Sequence, residues 1–407
     1  MKKLLAILLL SNLMSYNSYI SFYGSGDRSY NSNPSNIALG WSNLFDSNDY
    51  YNNGSLSNFY ESPLVRMSIA SDFNFNSIAN NDYYDQSLTY FNFLFPIRIG
   101  KQALGIALSP FYRINSHIVE NEFNYMEGND NHPPYAYKSE YDFLGGPSNL
   151  SLSFSSIGPK IGVNVQSSFG LKLNYIFGSL YSYMQHKVYD ITYDTDGNIG
   201  YALNSNEYYT TINNYNGYGL EAEFSLVYKN QKISSSINTV NNIEIQQYFY
   251  DDIIPESLEL GIEPVEEKNF LLSSPFEFNI GYLYSFNKKH QFIIEYYNYS
   301  PYEAQFGNIF NSSDVNKNKL NMAYYRPLFN NKLRFSMGLY NIIAENNLFN
   351  SNRVGSTVGL GINIIKNISI DFCLDIGQNK IEISNEGLLE KYVNLHIGLT
   401  SSDMWFK

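Results

Sequence analysis

The sequence predicts an all-β chain, a transmembrane antiparallel β-barrel of about 14 strands with an N-terminal plug in its lumen. Three observations predict it. Apolar and polar residues alternate with period two over many segments of barrel-strand length, and the links between those segments are short and long by turns. Beyond the first ten residues, no stretch approaches the roughly 18 consecutive apolar residues of a spanning helix. A chain that sits in a membrane without such helices must close a sheet, because lipid offers its backbone groups no partner.

The clearest strands are the last three. Val358, Leu360, Ile362 and Ile364 alternate with Thr357, Gly359, Gly361 and Asn363. After Lys366 and Asn367 the pattern restarts as Ile368, Ile370, Phe372, Leu374 and Ile376, against Ser369, Asp371, Cys373, Asp375 and Gly377. It returns as Val393, Leu395, Ile397 and Leu399, then runs out to Trp405, Phe406 and Lys407. Each strand has one greasy face and one polar face. A soluble sandwich would serve any one of these strands equally well, so the decision rests on the whole chain.

Composition narrows the choice. Among 407 residues Tyr 38 and Phe 28 supply most of an aromatic share of 17%, as expected for thin apolar bands on otherwise polar strands. Lys plus Arg 26 against Asp plus Glu 38 gives a net charge of -12, which argues against a nucleic-acid partner. The opening Met1-Lys2-Lys3 and the apolar run 4–10 read as the start of a signal peptide over 1–18. Cys373 is the only cysteine, so internal disulfides are excluded and strand pairing must hold the fold. The expected place is the outer membrane of a Gram-negative-type bacterium.

Segment 19–62 is rich in Ser, Asn, Gly and Tyr and has no sustained period, yet it carries Phe22, Tyr23, Trp41, Phe45, Phe59 and Tyr60. A disordered linker has few aromatics, so this segment is expected to pack inside the lumen as the plug. From 63 to 407 the candidate strands fall at 64–76, 88–98, 103–114, 147–157, 168–185, 216–229, 231–242, 275–286, 290–302, 316–327, 331–342, 353–365, 367–379 and 391–402. An even count leaves both termini in the periplasm. Short basic links, such as Gly100-Lys101-Gln102, Asn230 and Lys366-Asn367, alternate with long polar ones at 115–146, 186–215 and 243–274. The link 158–167 is too long for its side. Insertion of a barrel from the periplasm sorts links this way, and a sandwich has no reason to.

Several runs resemble the FadL-type outer-membrane transporters, especially their Bacteroidetes-like branch. They are Phe169-Gly170-Leu171-Lys172-Leu173-Asn174-Tyr175-Ile176-Phe177-Gly178-Ser179, Thr357 to Ile362, and the close from Gly398-Leu399 through Asp403-Met404-Trp405-Phe406-Lys407. The resemblance covers about 147–407. It implies a 14-stranded barrel, an N-terminal hatch, and passage of hydrophobic small molecules such as long-chain fatty acids. The chain departs from the family at the hatch, where Leu39-Gly40-Trp41-Ser42 and Glu61-Ser62-Pro63-Leu64 stand in place of the usual Gly-Gly-Ala and Asn-Pro-Ala runs, and Asn33-Pro34 lies too early to replace them.

Chemistry beyond passage has weak support in the residues. His117, His132, His186, His290 and His396 are scattered, and only His396 with inward serines offers the start of a hydrolytic triad. Asp371 and Asp375 read as polar lumen lining, with Asp371→Asn expected to be mild. The acidic link 243–274 lacks a calcium-loop spacing. The chain is therefore expected not to be an enzyme and to carry no cofactor or metal. Its expected partners are hydrophobic small molecules together with outer-membrane lipid and lipopolysaccharide, in a monomer, with Phe22, Tyr23, Trp41, Phe45 and Phe59 as candidate ligand-binding residues. The alternative is an attachment barrel of a type IX-like secretion apparatus, whose loops bind protein while nothing crosses.

Overall fold

The computed structural model describes residues 27–28, 33–45 and 56–403, apart from 79–80, 120–122, 127–133, 194–198, 241–242, 252–262, 273–275, 287–289, 300–303, 307–309, 313–315, 331, 346–348, 366 and 384–385. The expected signal segment, Phe22 and Tyr23 lie outside the described residues. Fourteen strands form the wall: β1 (Val65–Ile78), β2 (Asn81–Arg98), β3 (Gln102–Pro110), β4 (Ser148–Ile161), β5 (Val165–Tyr193), β6 (Ile199–Tyr228), β7 (Gln231–Val240), β8 (Phe276–Phe286), β9 (His290–Tyr299), β10 (Asn316–Leu328), β11 (Leu333–Glu345), β12 (Phe349–Ile365), β13 (Ile368–Ile383) and β14 (Glu386–Asp403). Each pairs antiparallel with its neighbours in chain order. β14 pairs back onto β1 from Val65↔Asp403 to Ile78↔Glu390, so the sheet closes and no edge remains unpaired around the ring.

All 14 expected strands are present, and the period-two pattern sorts their side chains as the barrel requires. Leu104, Ile106, Leu171, Leu173, Ile294, Val358, Leu360, Leu374 and Ile376 are exposed on the outside, where lipid meets them. Ser151, Ser153, Ser155, Glu223, Glu295, Thr357, Asp371 and Asp375 are buried on the inside. Polar inside and apolar outside is the inverse of a soluble domain.

Tight turns cluster at one end. Gly100 and Gly162 take positive φ there, as do Lys229 and the pair Phe329-Asn330, the backbone that closely spaced hairpins demand. The long link 158–167 resolves at this end: β4 runs on to Ile161 past a register shift after Ile157, leaving only 162–164 between strands.

The long links at the other end are not irregular loops. Tyr112–Val119 continues β3, Tyr135–Gly145 leads into β4, Ile243–Asp251 continues β7 and Glu266–Leu272 precedes β8, while β5 and β6 extend to Tyr193 and Ile199. These segments pair with one another and prolong the wall as one sheet. Alternating tyrosines at 181, 183, 189, 201 and 209 carry the strand period onward with hydroxylated rings, which suit a sheet no longer in hydrocarbon.

Among the described residues the wall parts beside Pro110. β3 pairs with β2 only from Arg98↔Gln102 to Phe91↔Leu108. Above Pro110, which has no N–H to give the ladder, the chain turns away and Tyr112–Val119 pairs with Tyr135–Gly145. Among the described residues no ladder joins 81–90 to Tyr112–Val119; the backbone of Asp27–Arg28 pairs with Tyr112 and Arg113 on that side.

Candidate functional site

Residues 33–45 and 56–62 lie against the inner face of the wall. Asn33 caps a one-turn helix, α1 (Pro34–Ile37), its Oδ1 accepting from Ser35 N at 3.2 Å with Pro34 at the first helical position. The Asn33-Pro34 pair that looked misplaced in the sequence thus caps the helix that leads to Gly40 and Trp41. Beyond α1 the chain turns at Gly40 and at Trp41, both with positive φ.

The wall makes room for this segment with glycine. A side chain at Gly338 would strike the backbone of Gly40, one at Gly359 would strike Ala38, and one at Gly281 would come within 2.5 Å of the Phe45 ring. The polar atoms are matched as closely. Glu295 accepts from Ser42 Oγ (2.6 Å), Asn43 N (2.8 Å) and Leu44 N (3.3 Å). Asn321 Nδ2 donates to Leu39 O at 3.1 Å, and Lys319 Nζ donates to Trp41 O. Thr357 Oγ1 accepts from Gly40 N and donates to Ala38 O, both at 3.1 Å.

The second piece, 56–62, packs on the opposite arc of the wall. Leu56, Phe59 and Tyr60 form an apolar cluster with Leu94, Ala103 and Ile157. Glu223 accepts from Leu56 N (2.8 Å) and Ser57 Oγ (2.6 Å), and Ser57 Oγ also meets Ser225 Oγ at 2.6 Å. Burial first, and then the Glu61 carboxylate, raise the Tyr60 phenol above its ordinary pKa.

Three candidate aromatics named from the sequence can now be placed. Trp41 packs beside Ile37, Ala38 and Cys373 and donates its Nε1 to Asp375 Oδ2 at 3.1 Å. Phe45 is buried with Leu39, Leu44, Leu283, Ile293 and Tyr325. Phe59 belongs to the cluster on the opposite arc. They seal the N-terminal segment to the wall and do not converge on one another.

Another apolar group was not singled out from the sequence. Phe111, Ile176, Leu180, Tyr215, Ile243, Ile245, Tyr297 and Tyr299 form a buried cluster on the inner face, on the long-strand side of the N-terminal segment, with Phe143 packed on it. Each sits in an inward register position, where the surrounding lining is polar. The signal was available in the sequence as apolar residues at positions that the strand period assigns to the lumen. The cluster adjoins the parting wall, because Phe111 is the residue at which β3 ends, its N–H donating to Pro147 O at 2.8 Å.

Beside β11 to β14 the lumen is filled by a charged network. Arg334 and Asp371 pair at 2.7 Å with side chains only 3% and 6% exposed, so the Asp371 lining of the lumen is buried and ion-paired. Tyr340 donates to Asp375 at 2.7 Å, meets Tyr392 Oη at 2.6 Å, and Arg353 lies 4.2 Å over the Tyr392 ring. Gly355 and Gly377 leave the space into which those two tyrosine hydroxyls fit.

Among the described residues the histidines form no Ser-His-acid arrangement open to a substrate. His396 Nδ1 pairs with Asp72 Oδ1 at 2.5 Å, and its buried Nε2 meets no hydroxyl among the described residues. His186 Nδ1 does meet Ser139 Oγ, at 2.9 Å, but Ser139 is 1% exposed under neighbouring rings and out of reach of a substrate carbonyl. His290 pairs with Tyr324, His132 lies outside the described residues, and the side chain of His117 lies outside them as well.

No protein-family model matches the sequence, and no curated protein matches it. Solved structures do. A FadL homologue of Pseudomonas aeruginosa is 11% identical, with 92% of this chain and 99% of that one covered at a TM-score of 0.55. The CymD monoaromatic hydrocarbon channel is 11% identical over the same shares at 0.52. The toluene transporter TodX of P. putida is 12% identical over 94% and 100% at 0.50. The chain has the FadL-type fold. At these identities the likeness speaks for the FadL-type fold alone.

Proposed function

We propose that the protein lets a hydrophobic small molecule cross the outer membrane passively. The observation that carries this is the apolar cluster of Phe111, Ile176, Leu180, Tyr215, Tyr297 and Tyr299 on the inner face, beside the place where β2 and the continuation of β3 part. Apolar side chains with a few polar groups around them are what a hydrophobic solute requires of the surface it binds. The named channels of like fold, for monoaromatic hydrocarbon and toluene, support the reading, and long-chain fatty acids are a further ligand class that the cluster suits.

In this reading residues 19–62 are the plug, with Trp41, Phe45 and Phe59 sealing it and contributing to the floor of the ligand path. Residues 1–18 are the removed signal peptide, the tight turns and both termini face the periplasm, and the monomer is embedded among lipid and lipopolysaccharide. Solute leaves either past the plug or sideways between β2 and Tyr112–Val119. Binding of N-phenyl-1-naphthylamine to the purified barrel, read by its fluorescence, tests the reading. Saturable binding that Tyr215→Ala and Tyr297→Ala weaken is expected, and its absence for this probe, toluene and hexadecanoate alike would sink it.

One observation favours the attachment alternative. The sheet beyond the barrel exposes Tyr125, Ile199 and Leu203 on its outer face, as a protein-binding surface would. Co-purification of a stoichiometric protein partner in place of solute binding would decide for it.

A further inference from the structure

The tight-turn end of the barrel gathers cations and all but excludes acids, although the whole chain carries a net charge of -12. Arg98, Lys101, Lys160, Lys229, Arg326 and Lys332 are exposed on its turns and on the strand ends beside them, where Asp403 is the one carboxylate among the described residues. The bias is strongest at the β2–β3 and β4–β5 turns. No Asp or Glu occurs anywhere in 86–119 or in 143–189, the spans that contain Arg98, Lys101 and Lys160.

These two turns lie side by side. The β3 to β4 ladder begins at Gln102↔Ser156, Ile157 N donates to Lys101 O at 2.9 Å, and β4 then runs on to Ile161 with β5 as its only ladder partner among the described residues. Residues 158–166 thus stand past the β2–β3 turn as a hairpin of their own, closed by Gly162 at positive φ. Its tip is apolar: Val163 is 92% exposed, with Ile161, Ile97 and Ile99 exposed beside it. Other tight turns end in polar residues, such as Lys229-Asn230 and Lys366-Asn367. The outer face that carries Leu104, Phe169 and Leu171 among lipid chains therefore continues to this tip without a polar break. Exposed apolar side chains framed by long cationic ones fit the boundary where acyl chains meet headgroups. A free phosphate ion would leave Ile99 and Val163 in water, and a protein partner would have to displace lipid from a continuous lipid-facing wall.

We propose that the β2–β3 turn and the hairpin 158–166 form a binding site for anionic phospholipid, with Ile97, Ile99, Ile161 and Val163 among the acyl chains and Arg98, Lys101 and Lys160 on the headgroup phosphate. A zwitterionic headgroup brings an ammonium of its own against these cations, so lipid of net negative charge is preferred. The site pins the β2 to β5 arc of the barrel to the membrane surface at the tight-turn end. It holds whether or not solute crosses the barrel and whichever way the barrel is oriented.

The test places a fluorophore at the tip. Val163→Cys in a Cys373→Ser background, labelled with an environment-sensitive NBD group, is folded as the full chain into phosphatidylcholine vesicles, and folding of each variant is checked by its heat-modifiable mobility on gels. Quenching is then followed as spin-labelled phosphatidylglycerol or spin-labelled phosphatidylcholine replaces part of the host lipid. The anionic lipid should quench at the lower mole fraction, with a preference that added salt reduces. Arg98→Gln, Lys101→Gln and Lys160→Gln should each lower that preference by up to about fivefold, the equivalent of about 1 kcal/mol per cation at a membrane surface, and Lys101→Arg with Lys160→Arg should keep it. Equal quenching by the two lipids, quenching by neither, or a preference that survives all three glutamines together overturns the proposal. So does an equal preference at an Asn230→Cys reporter, which would mean general surface charge. Loss of the preference to inorganic phosphate but not to chloride at the same ionic strength would assign the cations to the free ion and overturn it too.

Discussion

The two halves of the lumen are built from the same kind of strand and do opposite things with it. On the β11 to β14 side the inward positions carry Arg334, Tyr340, Arg353, Asp371, Asp375 and Tyr392, which fill the space and satisfy one another. On the β3 to β5 side they carry Ala103, Gly105, Ala107, Ser151 and Ser153, and Leu56, Phe59 and Tyr60 of the N-terminal segment pack against that side. The comparison teaches that a barrel wall of fixed hydrogen bonding is either closely filled or thinly lined according to the size and pairing of every second residue. The backbone is indifferent to the choice.

The sharpest way to break the comparison uses one chemistry on both sides. Arg334 and Asp371 are a buried pair, whereas Lys172 and Glu221 pair at the same 2.7 Å with side chains 29% and 21% exposed. Asp371→Asn leaves the guanidinium buried without its charge partner, and a loss of about 3 to 5 kcal/mol is expected in urea unfolding from detergent micelles. On the lipid side of that strand, Phe372→Arg should cost about 2 to 4 kcal/mol by the same measurement. A mild Asp371→Asn beside a costly Phe372→Arg would make Asp371 solvated lining.

Gly359→Leu should follow, at about 1 to 3 kcal/mol of overpacking against Ala38, together with leakage of small sugars in a liposome-swelling assay. Ala107→Leu, the matching enlargement on the small-residue side, should leave stability nearly unchanged and lower solute uptake. If the two exchanged their effects, the assignment of sealed and open sides would be reversed. The smallest effect expected is Glu221→Gln, below about 1 kcal/mol, because water already solvates both partners. Independently of energetics, a tag after Asn230 should be hidden on intact cells and one after Glu263 accessible; the opposite result would invert the orientation.

How much of this was legible beforehand follows from what each feature depends on. The strand period and the alternation of link lengths are local or cumulative along the chain, so Val358 to Ile364 and Ile368 to Ile376 could be assigned to faces without knowing their neighbours. The same reasoning failed for 115–146, 186–215 and 243–274, where polar composition concealed strands, because beyond the membrane a strand no longer needs an apolar face to reveal it. Asn33-Pro34 was read as misplaced since its meaning lies in the cap it makes and in Gly398 across the lumen. The Asp371 partner could not be read at all: Arg334 is 37 residues away, and only the register of β11, β12 and β13 brings the two together.

The sequence by itself therefore determined the class of fold, the strand number, the lipid-facing set and the presence of an aromatic segment ahead of the barrel. These are properties of period and order, which survive any rotation of the strands around the ring. Closure and register alone decided which inward residues meet. They placed Glu295 and Glu223 under two different pieces of the N-terminal segment, gathered Phe111, Tyr215 and Tyr299 into one cluster, and set Gly170 and Gly338 where backbone had to pass. The physical reason is that side-chain contacts across a lumen depend on the stagger of all the strands at once, a quantity no single segment carries.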